Sequence, residues 1–250
     1  MSPILEVRNV SKSFGGIKAV NAASFTLDKP GIYGLIGPNG AGKTTMFDIV
    51  CGRQIADAGE VRFHGERIDG KRPFKLARQG LARTFQECRV LPEETCLDNV
   101  LFGAQDKRLG AEVLQAFSRN GGPRARAEDE ARRLLRLINL ERYADEPASA
   151  LSYGQRRLLE IVSCLMSKPR ILLLDEPASG INPTLLNTLR DFIVEIYDET
   201  KIAFLIVEHN MEFIMSLASE IVVMHQGGVL MQGAPDRVQA DKGVIDAYLG

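Results

Sequence analysis

Apolar positions in this chain follow two rhythms. Ile32–Ile36, Ile171–Leu174, Ile202–Val207 and Ile221–Met224 are short, continuous apolar runs, the pattern of strands covered on both faces in a parallel sheet. Between them, apolar residues recur at helical spacing. The clearest case is Leu158, Leu159, Ile161, Val162, Leu165 and Met166, preceded by Ser152 as a natural N-cap. Asn182-Pro183 supplies the cap and first residue of a helix through Tyr197, and Asn210–Ala218 supplies the next, so strand and helix alternate as βαβ. The N-terminal stretch reads differently: Ile4–Val7 and Ala23–Leu27 flank Ser11–Gly16 as an antiparallel hairpin, and Glu60–Phe63 with His64-Gly65 adds a strand and turn. Helices are expected to end near Gly52 and Gly80, Gly227-Gly228 turns a hairpin into Val229–Gln232, and a short helix closes the chain at Val244–Leu249. Between Asp106 and Arg136 stand eight Lys/Arg against five Asp/Glu, with a Gly121-Gly122-Pro123 break; this predicts two helices whose basic residues form a solvated face.

Composition narrows the classes. At 250 residues, 45 % hydrophobic and 25 % charged, the chain can bury a full core. A net charge of −1 argues against nucleic acid or anionic lipid as a partner. Cys51, Cys88, Cys96 and Cys164 show no metal spacing and are expected to be buried or reduced thiols. The start, Met-Ser-Pro-Ile-Leu-Glu, has neither a basic nor an apolar signal region, and no apolar run approaches the roughly 18 residues of a membrane span. A cytoplasmic location is therefore expected, with any membrane role exercised through a partner.

The chemistry centres on Gly37-Pro38-Asn39-Gly40-Ala41-Gly42-Lys43-Thr44-Thr45, which fits the phosphate-loop pattern G-x-x-x-x-G-K-[ST] between an apolar strand and a helix. The glycines let successive N–H groups curl around phosphate oxygens, Lys43 spans the β- and γ-phosphates, and Thr44 offers its hydroxyl to Mg²⁺. Asp175 and Glu176 end a buried strand, where a parallel sheet presents its ligands. Asp175 suits the metal and Glu176 suits a base that polarises the attacking water. His209, two residues past another core strand, belongs on the same rim and can reach the γ-phosphate. Gln86, on a different segment, offers an amide to the metal or the water and fits a sensor.

These motifs, together with Leu151-Ser152-Tyr153-Gly154-Gln155, resemble the ATP-binding subunits of ABC transporters over nearly the whole chain. The five-residue signature is the most specific element. The resemblance implies a P-loop NTPase fold of the ABC ATPase type: a RecA-like α/β core with an antiparallel β subdomain (about 1–87 and 166–250) and an inserted helical subdomain (about 88–165). It implies that Phe14 stacks on adenine, that Gly37–Thr45 hold ATP, and that Gln86 is the Q-loop glutamine. Thr44, Gln86 and Asp175 would bind Mg²⁺, Glu176 would be the catalytic base and His209 the switch histidine. Ser152, Gly154 and Gln155 would act in trans on the nucleotide of a second ATP-binding subunit. Asn182 stands in the D-loop, where Asp is commoner. The partners implied are that second subunit, transmembrane permease subunits and, indirectly, a binding protein, with the chain peripheral on the inner face of the membrane. Phe14–Val20, Arg83-Thr84-Phe85-Gln86, the insertion at 104–127, Asn182-Pro183, Val207–Met211 and Ala247–Gly250 are most similar to ATPases of branched-chain amino-acid importers. Urea and amide importers and lipopolysaccharide exporters share much of this pattern, and a soluble, non-transport ABC ATPase is a further alternative.

Overall fold

The computed structural model describes residues 2–84, 89–104 and 123–249; Gln86, Cys88 and much of the basic stretch lie outside the described residues. The chain divides into two units: Met1–Arg83 with Arg170–Ala178 and Ile196–Gly250, and Thr84–Pro169 with Ser179–Glu195.

The first unit opens with β1 (Leu5–Phe14), β2 (Ile17–Leu27), β3 (Ile32–Ile36), α1 (Lys43–Val50), β4 (Ala58–Phe63), β5 (Glu66–Arg67), α2 (Pro73–Gln79) and β6 (Leu81–Arg83). The second unit carries α3 (Cys96–Phe102), α4 (Pro123–Leu137) and α5 (Tyr153–Leu165). The chain then returns as β7 (Ile171–Asp175), α6 (Pro183–Thr200), β8 (Ala203–Val207), α7 (Met211–Leu217), β9 (Glu220–His225), β10 (Gly228–Gly233), α8 (Pro235–Ala240) and α9 (Lys242–Leu249).

Two sheets build the first unit. One is antiparallel, in the order β2-β1-β4-β5. Its hairpin is longer than the short apolar runs predict, because β1 is bulged. Register shifts follow Val7, Val10 and Lys12, and Asn9 adopts φ 47°, so the apolar alternation is broken without ending the strand. The other sheet has the order β10-β9-β3-β8-β7-β6; β9, β3, β8, β7 and β6 run parallel, and β10 is antiparallel. Every residue of β3, β7 and β8 is buried, which is why these strands read as continuous apolar runs. Leu5, Val7, Phe25 and Leu27 of the antiparallel sheet, Met46 and Phe47 of α1, and Leu173 and Leu205 of the parallel sheet share one core. Each such side chain stabilises by about 1.5–3 kcal/mol on burial. The phosphate loop, between β3 and α1, is thereby anchored at both ends.

In the second unit the Thr95 hydroxyl caps α3, accepting from Asp98 N at 3.0 Å. The helix buries Cys96, Leu97 and Val100, while Leu91 and Phe102 stay exposed. The Ser163 hydroxyl on α5 donates to Asn99 O at 2.5 Å, tying α5 to α3. Residues 179–195 group with this unit because Gly154 packs on Leu185 and Ile181, and the Tyr153 ring lies against Gly180. Among the described residues, Cys51, Cys96 and Cys164 form no disulfide; burial pushes the Cys51 and Cys164 thiols up to about 12 and Cys96 to about 11. At neutral pH they are packing groups rather than nucleophiles. Among the described residues, no helix is long and apolar enough to cross a membrane.

Candidate active site

The phosphate loop leaves β3 at Gly37 (φ 151°), turns through Gly40 (φ 80°) and enters α1 at Gly42 (φ 97°). Glycine is required at Gly42 on two counts. The backbone is left-handed, and a Cβ there would lie 2.2 Å from Ala19 O on β2. β2 thus braces the loop, as does the Gly227 N–H, which donates to Ala41 O at 3.1 Å. Lys43 is buried and donates from Nζ to Gly37 O at 2.6 Å and Pro38 O at 3.0 Å, so its ammonium is held across the mouth of its own loop. Burial pulls the Lys43 pKa down, against the opposing pull of Glu176. A phosphate here would replace carbonyl dipoles with full negative charge. Thr44 follows, exposed, and Thr45 is half-buried.

β7 and β8 bring the acids to the same edge of the sheet as the loop. Asp175 is buried at the end of β7, and Glu176 N donates to Val207 O of β8 at 2.9 Å. Glu176 sits at φ 46°, a left-handed conformation that costs a non-glycine residue about 1–3 kcal/mol and clusters at functional sites. His209 follows β8, exposed, with Nδ1 3.7 Å from Glu176 Oε1, beyond a hydrogen bond but within reach of a side-chain rotation. Lys43, Asp175, Glu176 and His209, singled out separately in the sequence, thus share one rim. Phe14 ends β1 at the hairpin tip, 46 % exposed, its ring 5.4 Å from Lys12 Nζ. Gln86 lies outside the described residues.

Two charged groups passed over in the sequence support this rim. Glu208 is fully buried; its Oε1 accepts from Ala178 N at 2.7 Å, and its Oε2 accepts from His209 N at 3.0 Å and Asn210 N at 3.2 Å. It therefore ties the turn after Glu176 to the turn carrying His209. Burial pushes its carboxyl up, the three N–H groups pull it down, and burial prevails. Glu208→Gln sets an amide NH₂ against backbone donors and is expected to cost about 1–3 kcal/mol. Denaturant titration checks this; an unchanged midpoint would show the three-donor cage to be dispensable. The other group is Arg83, on β6, whose guanidinium pairs with Asp175 Oδ2 at 3.0 Å. Burial raises the Asp175 pKa, and Arg83 opposes that rise. A charged residue directly after an apolar strand was the available signal for Glu208; for Arg83 there was none without the strand order.

Mg²⁺ takes hard oxygen donors, commonly one or two from protein with phosphate and water completing the shell. The Thr44 hydroxyl beside the loop and the Asp175 carboxylate fit that donor set.

The signature residues lie in the second unit. Ser152 Oγ accepts from Gln155 N, and Gln155 Oε1 accepts from Ser152 N at 2.9 Å, a capping box that fixes the positive N-terminus of α5 with Ser152 exposed. Asn182 Oδ1 accepts from Leu185 N at 3.0 Å and caps α6.

The family model described as "ABC transporter" matches residues 20–179. The chain belongs to the ABC transporter family. It is thus an ATP-binding cassette and an ATPase, the activity general to that family. The chain is 40 % identical over 252 residues to the high-affinity branched-chain amino acid transport ATP-binding protein BraF of Pseudomonas aeruginosa, covering 99 % of this chain and 98 % of that one. It is 37 % identical to LivG of Escherichia coli K12, a protein of the same description, with the same two coverages. Among solved structures, the ADP conformation of MJ1267, an ATP-binding cassette of an ABC transporter, matches all of the chain at TM-score 0.85 and 30 % identity. A nucleotide-free cassette matches at TM-score 0.83 and 30 % identity over 99 % of both chains.

Proposed function

We propose that this cassette powers import of branched-chain amino acids, as one of a head-to-tail pair of ATP-binding chains held beneath a membrane permease on the cytoplasmic face. The observation that carries this reading is similarity along the whole chain to BraF and LivG, named for that transport. The geometry of the rim supplies the chemistry. Loop N–H groups and Lys43 hold the phosphates, Phe14 stacks on the base, and Thr44 and Asp175, joined by Gln86, hold Mg²⁺. The ion, when bound, neutralises charge developing on the phosphates. Glu176 accepts the proton of the attacking water, and His209, restrained by Glu208, contacts the γ-phosphate. Ser152, Gly154 and Gln155 at the N-terminus of α5 complete the partner chain's site, and Asn182 faces that partner in the D-loop. ATP binding then closes the pair and hydrolysis opens it.

The permease docks on the segment after Gln86, where exposed Leu91 and Phe102 offer apolar contact to an amphipathic helix. Leu97 is 7 % exposed and takes no part in this surface. The experiment is uptake of labelled leucine, isoleucine and valine, presented outside with the binding protein, into proteoliposomes that hold the permease and enclose ATP with this chain or its Glu176→Gln variant. Uptake with the first and none with the second is the expected result; uptake of urea or a short-chain amide in place of all three would overturn the substrate assignment.

A further inference from the structure

Arg83 opens the run Arg83-Thr84-Phe85-Gln86, and its pairing with Asp175 is only one arm of what its side chain does. Its side chain is 8 % exposed. Nη1 donates to Asp48 Oδ1 at 2.5 Å, Nη2 donates to Asp175 Oδ2 at 3.0 Å, and the guanidinium carbon stands 4.8 Å from the centroid of the Phe47 ring. Phe47 and Asp48 lie on α1, the helix that leaves the phosphate loop, so α1 fixes one prong of the guanidinium and the other prong fixes the acid that ends β7.

We propose that Arg83 is a positioning residue for the divalent cation, orienting Asp175 through a two-pronged bridge that refers it to the helix of the phosphate loop. Asp175 is 5 % exposed and Asp48 is 21 % exposed. A planar guanidinium serves both acids at once, which the point charge of a lysine does not. Metal and guanidinium would share one carboxylate, so the rigidity of Arg83 would set how that carboxylate is presented. Groups in this outer position typically alter metal affinity about 10–100-fold when removed.

The inference rests on Asp175 as a ligand of the ion, and the test separates the two claims. Mn²⁺ is titrated by EPR into the full chain with ADP, and ADP binding is measured separately in EDTA. Arg83→Gln is expected to weaken Mn²⁺ at least about tenfold while ADP binding in EDTA stays within about twofold, since that binding uses the loop and Phe14 and not the metal. Arg83→Lys, which keeps the charge, is expected to fall between, and it decides the matter alone if the Gln variant does not fold. Mn²⁺ affinity unchanged in the folded variants overturns the proposal. Equal losses of ADP and Mn²⁺ binding overturn it too, by making Arg83 a prop for α1. Wild-type Mn²⁺ affinity in Asp175→Asn would instead overturn the ligand assignment, and this inference with it.

Discussion

Lys43→Ala is expected to abolish tight ATP binding while leaving the fold intact. The ammonium is buried against Gly37 O and Pro38 O, and burial lowers its pKa, so the folded chain holds this charge at a cost. Removing it deletes two bonds to the carbonyls of Gly37 and Pro38, and it deletes the only lysine charge in the phosphate loop. Hydrogen bonds between charged groups contribute about 1.5–3 kcal/mol each, so the loss in affinity is at least about tenfold and greater if both β- and γ-phosphates are engaged. Isothermal titration with ATP and Mg²⁺ measures the affinity, and thermal unfolding without nucleotide measures the fold. Full affinity in the variant would remove Lys43 from the site. Loss of affinity together with a large drop in unfolding temperature would make it a structural residue instead.

Glu176→Gln is expected to stop hydrolysis with ATP still bound. The amide keeps the shape and the backbone bond to Val207 O, but it cannot accept a proton from water. General-base contributions run to about 10²–10⁴-fold, so turnover should fall into that range or below detection. The second consequence is physical rather than chemical. Removing a negative charge that faces the γ-phosphate favours the closed pair, so the variant should dimerise with ATP and Mg²⁺ under conditions where the wild type does not persist as a dimer. Because Glu176 holds φ 46°, a residue tolerant of that backbone is wanted, and Gln at this position retains the same Cβ strain as Glu, so no folding penalty separates the two. Single-turnover hydrolysis and size-exclusion chromatography with ATP against ADP make the test. A variant that hydrolyses at more than a tenth of the wild-type rate, or stays monomeric with ATP, counts against Glu176 as the base.

Particular elements show why some of this was legible in the sequence and some was not. β3, β7 and β8 are buried at every residue, so their apolar runs announce a parallel sheet directly. The capping box on α5 and the Asn182 cap on α6 are local, set by residues three apart, and so were readable. The full length of β1 and β2 was not, because bulges at Asn9 and beyond put polar residues where alternation demands apolar ones. Helix α8 has no counterpart in the sequence reading, because its six residues, opened by Pro235 in the first turn, are too few to show a helical period. In the site, the phosphate loop and the Asp175-Glu176 pair each carry their chemistry within a few neighbouring residues. The supports of the rim do not. Arg83 meets Asp48 and Asp175 across 35 and 92 residues, and Glu208 meets Ala178 across 30. Those pairings depend on β6 lying beside β7, and β7 beside β8, which no local pattern encodes.

The central claim is that a working site is shared by two chains, the phosphate loop of one facing the α5 N-terminus of the other. Mixing two inactive variants measures it most directly. Lys43→Ala lacks a usable loop but keeps its signature; Ser152→Arg keeps its loop but blocks its signature, and the lost cap costs only about 1 kcal/mol. A mixed pair contains one intact composite site. ATP turnover of the equimolar mixture is therefore expected to rise well above that of either protein alone and to grow more steeply than linearly with concentration. A mixture as silent as its two components, under conditions where the wild type turns over, would contradict the shared site.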